Sequence, residues 1–278
     1  MNRVSSSVGR YRWVICALLF LCSTINYVDR YSLGVIKTII AEQLHWTEAD
    51  YGWIAFAFTL AYAVFPSVMG RFIDRFGAKA SLAGALVMWS LMSMAHGLAS
   101  TVFGFALVRF LLGAAESANF PASIKAVAMW FPQKERALAT GLFNSGTNVG
   151  VMISFAVVML AERFGWQWAF VAIGLAGFVW LYFWNRGFDV PEKSRHVSPA
   201  ELAYIRADQP PAEDKMRLPW TTLLRYRQIW PFLLAKLLTD PVWWFYLYWL
   251  PSYLATERGR DPLKSALFIG VIYTGASV

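Results

Sequence analysis

The sequence predicts an all-α polytopic membrane protein, and three observations carry that prediction. The 278 residues are 58% hydrophobic and only 15% charged, against about 45–50% and about 25% in soluble domains. Apolar runs of about 20 residues recur, each long enough to cross a bilayer as a helix. The runs are continuous rather than alternating, which excludes a β-barrel. Lys and Arg gather at alternate ends of these runs, as the positive-inside bias requires. The net charge of +8 therefore calls for a lipid bilayer and not for a nucleic-acid partner.

The chain opens with Arg3, Arg10 and Arg12, and a first span follows at residues 13–40. No small-residue cleavage site ends it, so it is not a signal peptide. Further spans are expected at 51–69, 80–98, 102–129, 137–161 and 168–185, and a seventh at 229–255. An eighth begins near Lys264, and the chain stops at Val278 inside an apolar run. Residues 186–228 form a polar linker with five prolines and one short helix, where Ser198-Pro199-Ala-Glu201 has the spacing of a capping box. The reading is of three parts: a six-helix transmembrane half at 1–185, a cytoplasmic linker at 186–228, and the incomplete start of a second half at 229–278. Six spans, a linker and more spans is the layout of a two-halved transporter. The loops on the N-terminal side hold sixteen Lys and Arg and the opposite loops four, which places the N-terminus in the cytoplasm.

The span at 102–129 carries Arg109-Phe-Leu-Leu-Gly113-Ala-Ala-Glu116. An arginine at a bilayer centre costs about 2.5–3.5 kcal/mol on insertion scales. A spacing of seven residues puts Arg109 and Glu116 on one helix face, about 10 Å apart. Gly113 between them lets another backbone come close. Span one adds Asn26-Tyr27-Val-Asp29-Arg30. Adjacent Asp29 and Arg30 point about 100° apart, so each needs a partner elsewhere. Asp29 and Arg109 lie at matching depth, and their pairing is expected to leave Arg30 and Glu116 facing a cavity. A purely structural charge network, gluing helices together, is the alternative. Lys37 and Lys125 read as snorkelling residues near helix ends. Lys236 and Asp240 are spaced to pair with each other or to form a gate contact.

Gly70-Arg71-Phe-Ile-Asp74-Arg75-Phe-Gly77-Ala-Lys79 joins the second and third spans. It matches the G-x-x-x-D-R-x-G-x-K/R signature of the major facilitator superfamily. The glycines suit a tight, close-packed turn. The basic residues anchor the loop, and Asp74 can pair with a cation or cap a helix. The span-one and span-four motifs, with Trp130-Phe-Pro132-x-x-Glu135-Arg136 and Pro191-Glu192-x-Ser194, resemble the anion:cation symporter family of that superfamily. The aromatic run from Leu238 to Leu254 is similar to bacterial hexuronate transporters. Ser32 departs from the family, whose members often carry Asn there.

That resemblance implies a major facilitator fold, truncated after the start of its second half, and import of a sugar acid anion with protons. It implies that Arg30 and Arg109 hold the substrate carboxylate, since guanidinium matches it with two parallel bonds. Asp29 and Glu116 would be the protonatable pair. Tyr62 would reach the substrate, as would Tyr246 among the span-seven aromatics, which otherwise read as interface anchors. Asn144 and Asn148 would bond sugar hydroxyls or act as helix glue. Gly70, Asp74, Arg75, Gly77 and Lys79 would gate the transition. The protein is expected to act as a monomer.

Two other classes remain open on the sequence: an organic-anion or phosphate-ester exchanger on the same fold, and a membrane sensor that transports nothing. An enzyme is not expected, since the spans hold no nucleophile–base set and no phosphate-binding glycine loop. Cys16 and Cys22 read as packing residues, and His45, His96 and His196 fall in expected loops with no metal-ligand spacing. Neither a metal nor a cofactor is expected.

Overall fold

A computed structural model describes residues 9–209, 222 and 225–256. The expected eighth span, the external-loop cations Arg258, Arg260 and Lys264, and linker prolines Pro210, Pro211 and Pro219 lie outside them. Every long element among the described residues is a helix. Helix α1 is Tyr11–Val35, α2 Lys37–Leu44 and α3 Glu48–Ala95. Helix α4 is Val102–Glu116, α5 Asn119–Trp130, α6 Gln133–Phe164 and α7 Trp166–Gly187. Helix α8 is Pro199–Arg206 and α9 Ile229–Thr256. Five segments up to Gly187 are long and apolar enough to cross a membrane.

The ends of these helices follow from local chemistry. His45 closes α2 in the left-handed conformation, at φ 54°, which His adopts more readily than most residues. Thr47 then caps α3 through a reciprocal capping box with Asp50. Glu48 and Asp50 suit the positive end of the helix dipole. Thr101 caps α4 by accepting from the Gly104 N–H at 3.0 Å.

Helix α3 holds two spans. Phe58 and Ser93 both reach the same part of α1, so the chain doubles back between them. The reversal sits at Gly77, whose φ of 80° suits glycine alone among common residues. Residues 70–76 stay helical, so the expected loop of ten residues shrinks to a turn around one glycine. Gly70 is helical too, and a side chain there would meet nothing within 4 Å among the described residues.

Two spans expected to be continuous are interrupted. The first breaks at Ile36, between α1 and α2. The fourth breaks at Ser117-Ala118, between α4 and α5. Pro121 explains the second break, because it has no N–H for the Ser117 carbonyl and its ring crowds that oxygen. The break falls directly after Glu116.

Gly113 lies against α3, where an added Cβ would stand 2.6 Å from the Phe58 carbonyl oxygen. Close approach at Gly113 is thus realised as its position suggested. The short linker helix α8 docks on the basic end of the bundle, with Ile205 fully buried. Ser198 caps it, accepting from the Glu201 N–H at 3.2 Å. The other arm of the expected box is diverted, because the Glu201 carboxylate accepts from the Arg12 N–H at 3.0 Å instead. Asp208 in turn caps α6, accepting from the Gln133 N–H at 2.8 Å.

Candidate functional site

Arg30 meets Glu116 at the break between α4 and α5, with Asp29 next to Arg30 on α1 and Arg109 two turns earlier on α4. Asp29, Arg109 and Glu116 are 0% exposed and Arg30 is 2% exposed. Arg30 donates to one oxygen of Glu116 from Nη2 at 2.9 Å and from Nε at 3.1 Å. Its Nη2 also donates to the Asn26 side-chain carbonyl, one turn back on α1, at 3.1 Å. Aromatic rings box the guanidinium in: its carbon lies 4.2 Å from the Tyr62 ring centroid, 4.7 Å from Tyr27, 5.5 Å from Phe58 and 5.6 Å from Trp244. Such stacking suits a weakly hydrated, planar cation.

The pairing differs from the expected one. Arg30 takes Glu116, and Asp29 accepts from the Ser93 hydroxyl of α3 at 3.0 Å. Arg109 makes no ion pair within 4 Å among the described residues. None of its three guanidinium nitrogens has a hydrogen-bond partner there. Its nearest rings are Phe58 at 5.9 Å and Phe170 at 6.0 Å. The second oxygen of Glu116, the Asn26 amide nitrogen and the second oxygen of Asp29 are buried and make no hydrogen bond within 3.5 Å among the described residues, with Asn26 and Glu116 beside each other. A charge buried in this way is costly unless something completes it. A guanidinium left open in this way can bond the paired oxygens of a carboxylate.

Of the other expected substrate-binding residues, one is at the cluster and three lie further out. Tyr62 is at the site, stacked on Phe58 at 5.8 Å. Asn144 is exposed and Asn148 half-buried on α6. Tyr246 is 46% exposed, and its ring meets that of Phe245. Among the described side chains of α9, Trp244 and Tyr248, one helical turn apart, reach the cluster. Trp244 lies 5.7 Å from Tyr62.

Ser93 and His96 were not singled out by the sequence. His96 was assigned to a loop, yet it is fully buried and stacked on Phe170 at 4.6 Å, with Nδ1 2.8 Å from the Met92 carbonyl oxygen. The available signal was its position one turn past Ser93 on the same helix face.

At the basic end, the signature residues are tied to neighbouring helices. Lys125 of α5 donates to Asp74 at 2.8 Å and to the Ile73 carbonyl at 2.9 Å. Lys79 pairs with Asp189 at 3.4 Å. The Val190 N–H donates to the Asp189 carboxylate at 2.8 Å and, with Lys79, holds its pKa below the ordinary carboxylate value. Arg75 stacks on Phe76 at 5.3 Å.

At the opposite end Lys37 is only 4% exposed. It pairs with Glu48 at 2.6 Å and lies over the rings of Tyr51 and Trp249. Lys37 and Lys125 each meet a carboxylate on a neighbouring helix, and both carboxylates are largely exposed. Lys236 and Asp240 do pair with each other, at 2.6 Å.

A helical membrane bundle that buries two arginines and two carboxylates at mid-span belongs to the class of polytopic membrane transporters. The chain belongs to the Major Facilitator Superfamily, whose family model matches residues 19–278. It is a transporter-family protein and not an enzyme. It is 30% identical over 287 residues to a D-galactonate transporter of Escherichia coli O6:H1, covering 96% of this chain and 67% of that protein. It is 31% identical over 261 residues to the hexuronate transporter of Escherichia coli K12, covering 92% of this chain and 60% of that protein. The chain thus spans roughly 60–67% of the length of these relatives. Its fold matches that of a bacterial homologue of the human lysosomal transporter Spinster, solved inward-facing and unoccupied. The TM-score is 0.74 at 19% identity, over 94% of this chain and 60% of that one.

Proposed function

We propose that the protein imports a sugar acid anion together with protons across the bacterial inner membrane by alternating access, with its N-terminus in the cytoplasm. Residues 1–185 form the first rocking half, 186–228 the linker, and 229–278 enter the second half. The relatives' names, galactonate and hexuronate transporter, support the substrate class.

The observation that carries the mechanism is the Arg30–Glu116 pair beside Arg109, whose nitrogens have no partner among the described residues. Arg109 offers a free planar fork to a carboxylate. Arg30 is held by Glu116 until a second acceptor competes for it. When the substrate carboxylate takes Arg30, Glu116 loses its cation inside a dry site and becomes easier to protonate. Protonation in turn releases Arg30 for the anion. Proton and anion then favour each other's binding, which is the coupling that symport needs. Asp29, held by Ser93, is the second protonatable group. Asp74 and Lys125, with Lys79 and Asp189, steady one conformation at the cytoplasmic end.

The test is transport by the whole protein in proteoliposomes. Galactonate or galacturonate should accumulate uphill when an inward proton gradient is imposed. Counterflow that proceeds while a pH gradient drives no accumulation would assign it to exchange instead.

A further inference from the structure

Tyr248 sits on α9, one turn past Trp244, and stacks on that ring at 5.8 Å and 14°. It is 4% exposed. Its backbone carbonyl accepts a hydrogen bond from the Tyr51 hydroxyl of α3 at 2.9 Å, so its place against the first six helices is fixed. Its own hydroxyl makes no hydrogen bond within 3.5 Å among the described residues; the polar side chain beside it is Thr59, whose hydroxyl donates to the Ala55 carbonyl at 3.0 Å. Trp244, on which it stacks, lies 5.6 Å from the Arg30 guanidinium carbon. A buried hydroxyl left unpaired is unfavourable, and proteins keep such a group where a ligand completes it. Two elements, α4 and α9, thus bring polar groups with hydrogen-bonding capacity to spare into one buried cluster: the Arg109 fork and the Tyr248 hydroxyl.

The two groups suit different parts of an anion. A guanidinium only donates, in the paired geometry of a carboxylate. A phenol both donates and accepts, which suits an alcohol. We propose that Tyr248 is a specificity-determining residue, whose hydroxyl hydrogen-bonds a hydroxyl group of the sugar acid while the arginines hold its carboxylate. This rests on the sugar acid reading above. Tyr246, two positions back, lies on the other side of the helix and is 46% exposed.

The experiment measures equilibrium binding of D-galactonate, D-galacturonate and their monodeoxy analogues to the whole purified protein. Wild type should bind one monodeoxy analogue about tenfold more weakly than its parent acid, the scale of one hydrogen bond. Tyr248→Phe keeps the ring stack and the backbone bond to Tyr51. It should bind the parent about tenfold more weakly and no longer distinguish that analogue. A Tyr248→Phe protein with the wild-type preference overturns the assignment. The ligand-side comparison needs no variant: a wild type that binds every monodeoxy analogue as tightly as its parent also overturns it. A wild type that binds no sugar acid overturns the transport reading itself, and this assignment with it.

Discussion

Arg30 directs both Nε and Nη2 at a single oxygen of Glu116, 3.1 and 2.9 Å away, in a site where neither side chain is more than 2% exposed. The other Glu116 oxygen makes no hydrogen bond within 3.5 Å among the described residues. Two charges buried this deeply gain little net stability from each other. Their retention is better explained by a change of partner during transport. Glu116→Gln imitates the protonated state and cannot hold Arg30 as a carboxylate does. It is expected to retain counterflow of substrate and to lose accumulation driven by a proton gradient. Asp29→Asn gives the contrast: it is expected to lose both if Asp29 mainly organises the site through Ser93. Uphill, proton-driven accumulation by Glu116→Gln would pass the role of proton carrier to Asp29.

Arg109→Lys is expected to reduce uptake to near background, on the order of a hundredfold. Lysine keeps the charge and loses the planar fork. The Arg109 nitrogens bond to nothing among the described residues, so the change breaks no hydrogen bond or ion pair among them. The loss then measures geometry toward the substrate. Uptake is read on protein expressed and folded as wild type, and an unimpaired rate would remove Arg109 from carboxylate binding.

Much of this site was legible in the sequence. Charges inside apolar runs are costly enough to stand out, so Asp29, Arg30, Arg109 and Glu116 could be named without coordinates. Their pairing could not. Asp29 and Arg30 point about 100° apart, and which of them meets α4 depends on how α1 is rotated. That rotation is set by packing against other helices. The aromatic stretch of α9 posed a related problem. With Trp244, Phe245, Tyr246, Tyr248 and Trp249 close together, aromatics lie all round the helix, and no pattern told Tyr246 from Tyr248. The break after Glu116 had a visible cause in Pro121, but the apolar run continued through it and read as one span. His96 was misplaced because a span-end histidine looks like a loop residue until Phe105 and Phe170 are seen to cover it.

Asp74→Asn is expected to slow transport severalfold while leaving substrate affinity nearly unchanged. Asp74 accepts from Lys125 at 2.8 Å, at the basic end of the bundle. Its side chain is 79% exposed, so the pair adds little to stability. Its effect falls instead on the balance between conformations. Turnover in proteoliposomes and equilibrium binding in detergent separate the two. A large loss of affinity at normal turnover would contradict this role.

Gly113 offers a stability test tied to the site. An added Cβ would stand 2.6 Å from the Phe58 carbonyl oxygen and 3.2 Å from the Phe58 ring. The obstacle is chiefly backbone, so it cannot swing aside, and α3 must move away from α4. Overpacking of this kind costs about 1–3 kcal/mol. Phe58 is also one of the rings around Arg30, at 5.5 Å, and lies 5.9 Å from Arg109. Displacing it disturbs both cations. Gly84 is the control: it lies inside α3, and an added Cβ there meets nothing within 4 Å among the described residues. Alanine at that position removes only the entropy cost of a helical glycine, a gain of roughly 0.5–1 kcal/mol. Gly113→Ala is therefore expected to lower the melting temperature in detergent by several degrees and to weaken sugar acid binding. Gly84→Ala should melt at or slightly above wild type and bind normally. If the two variants melt together, the tight seam between α3 and α4 at Gly113 is absent in solution.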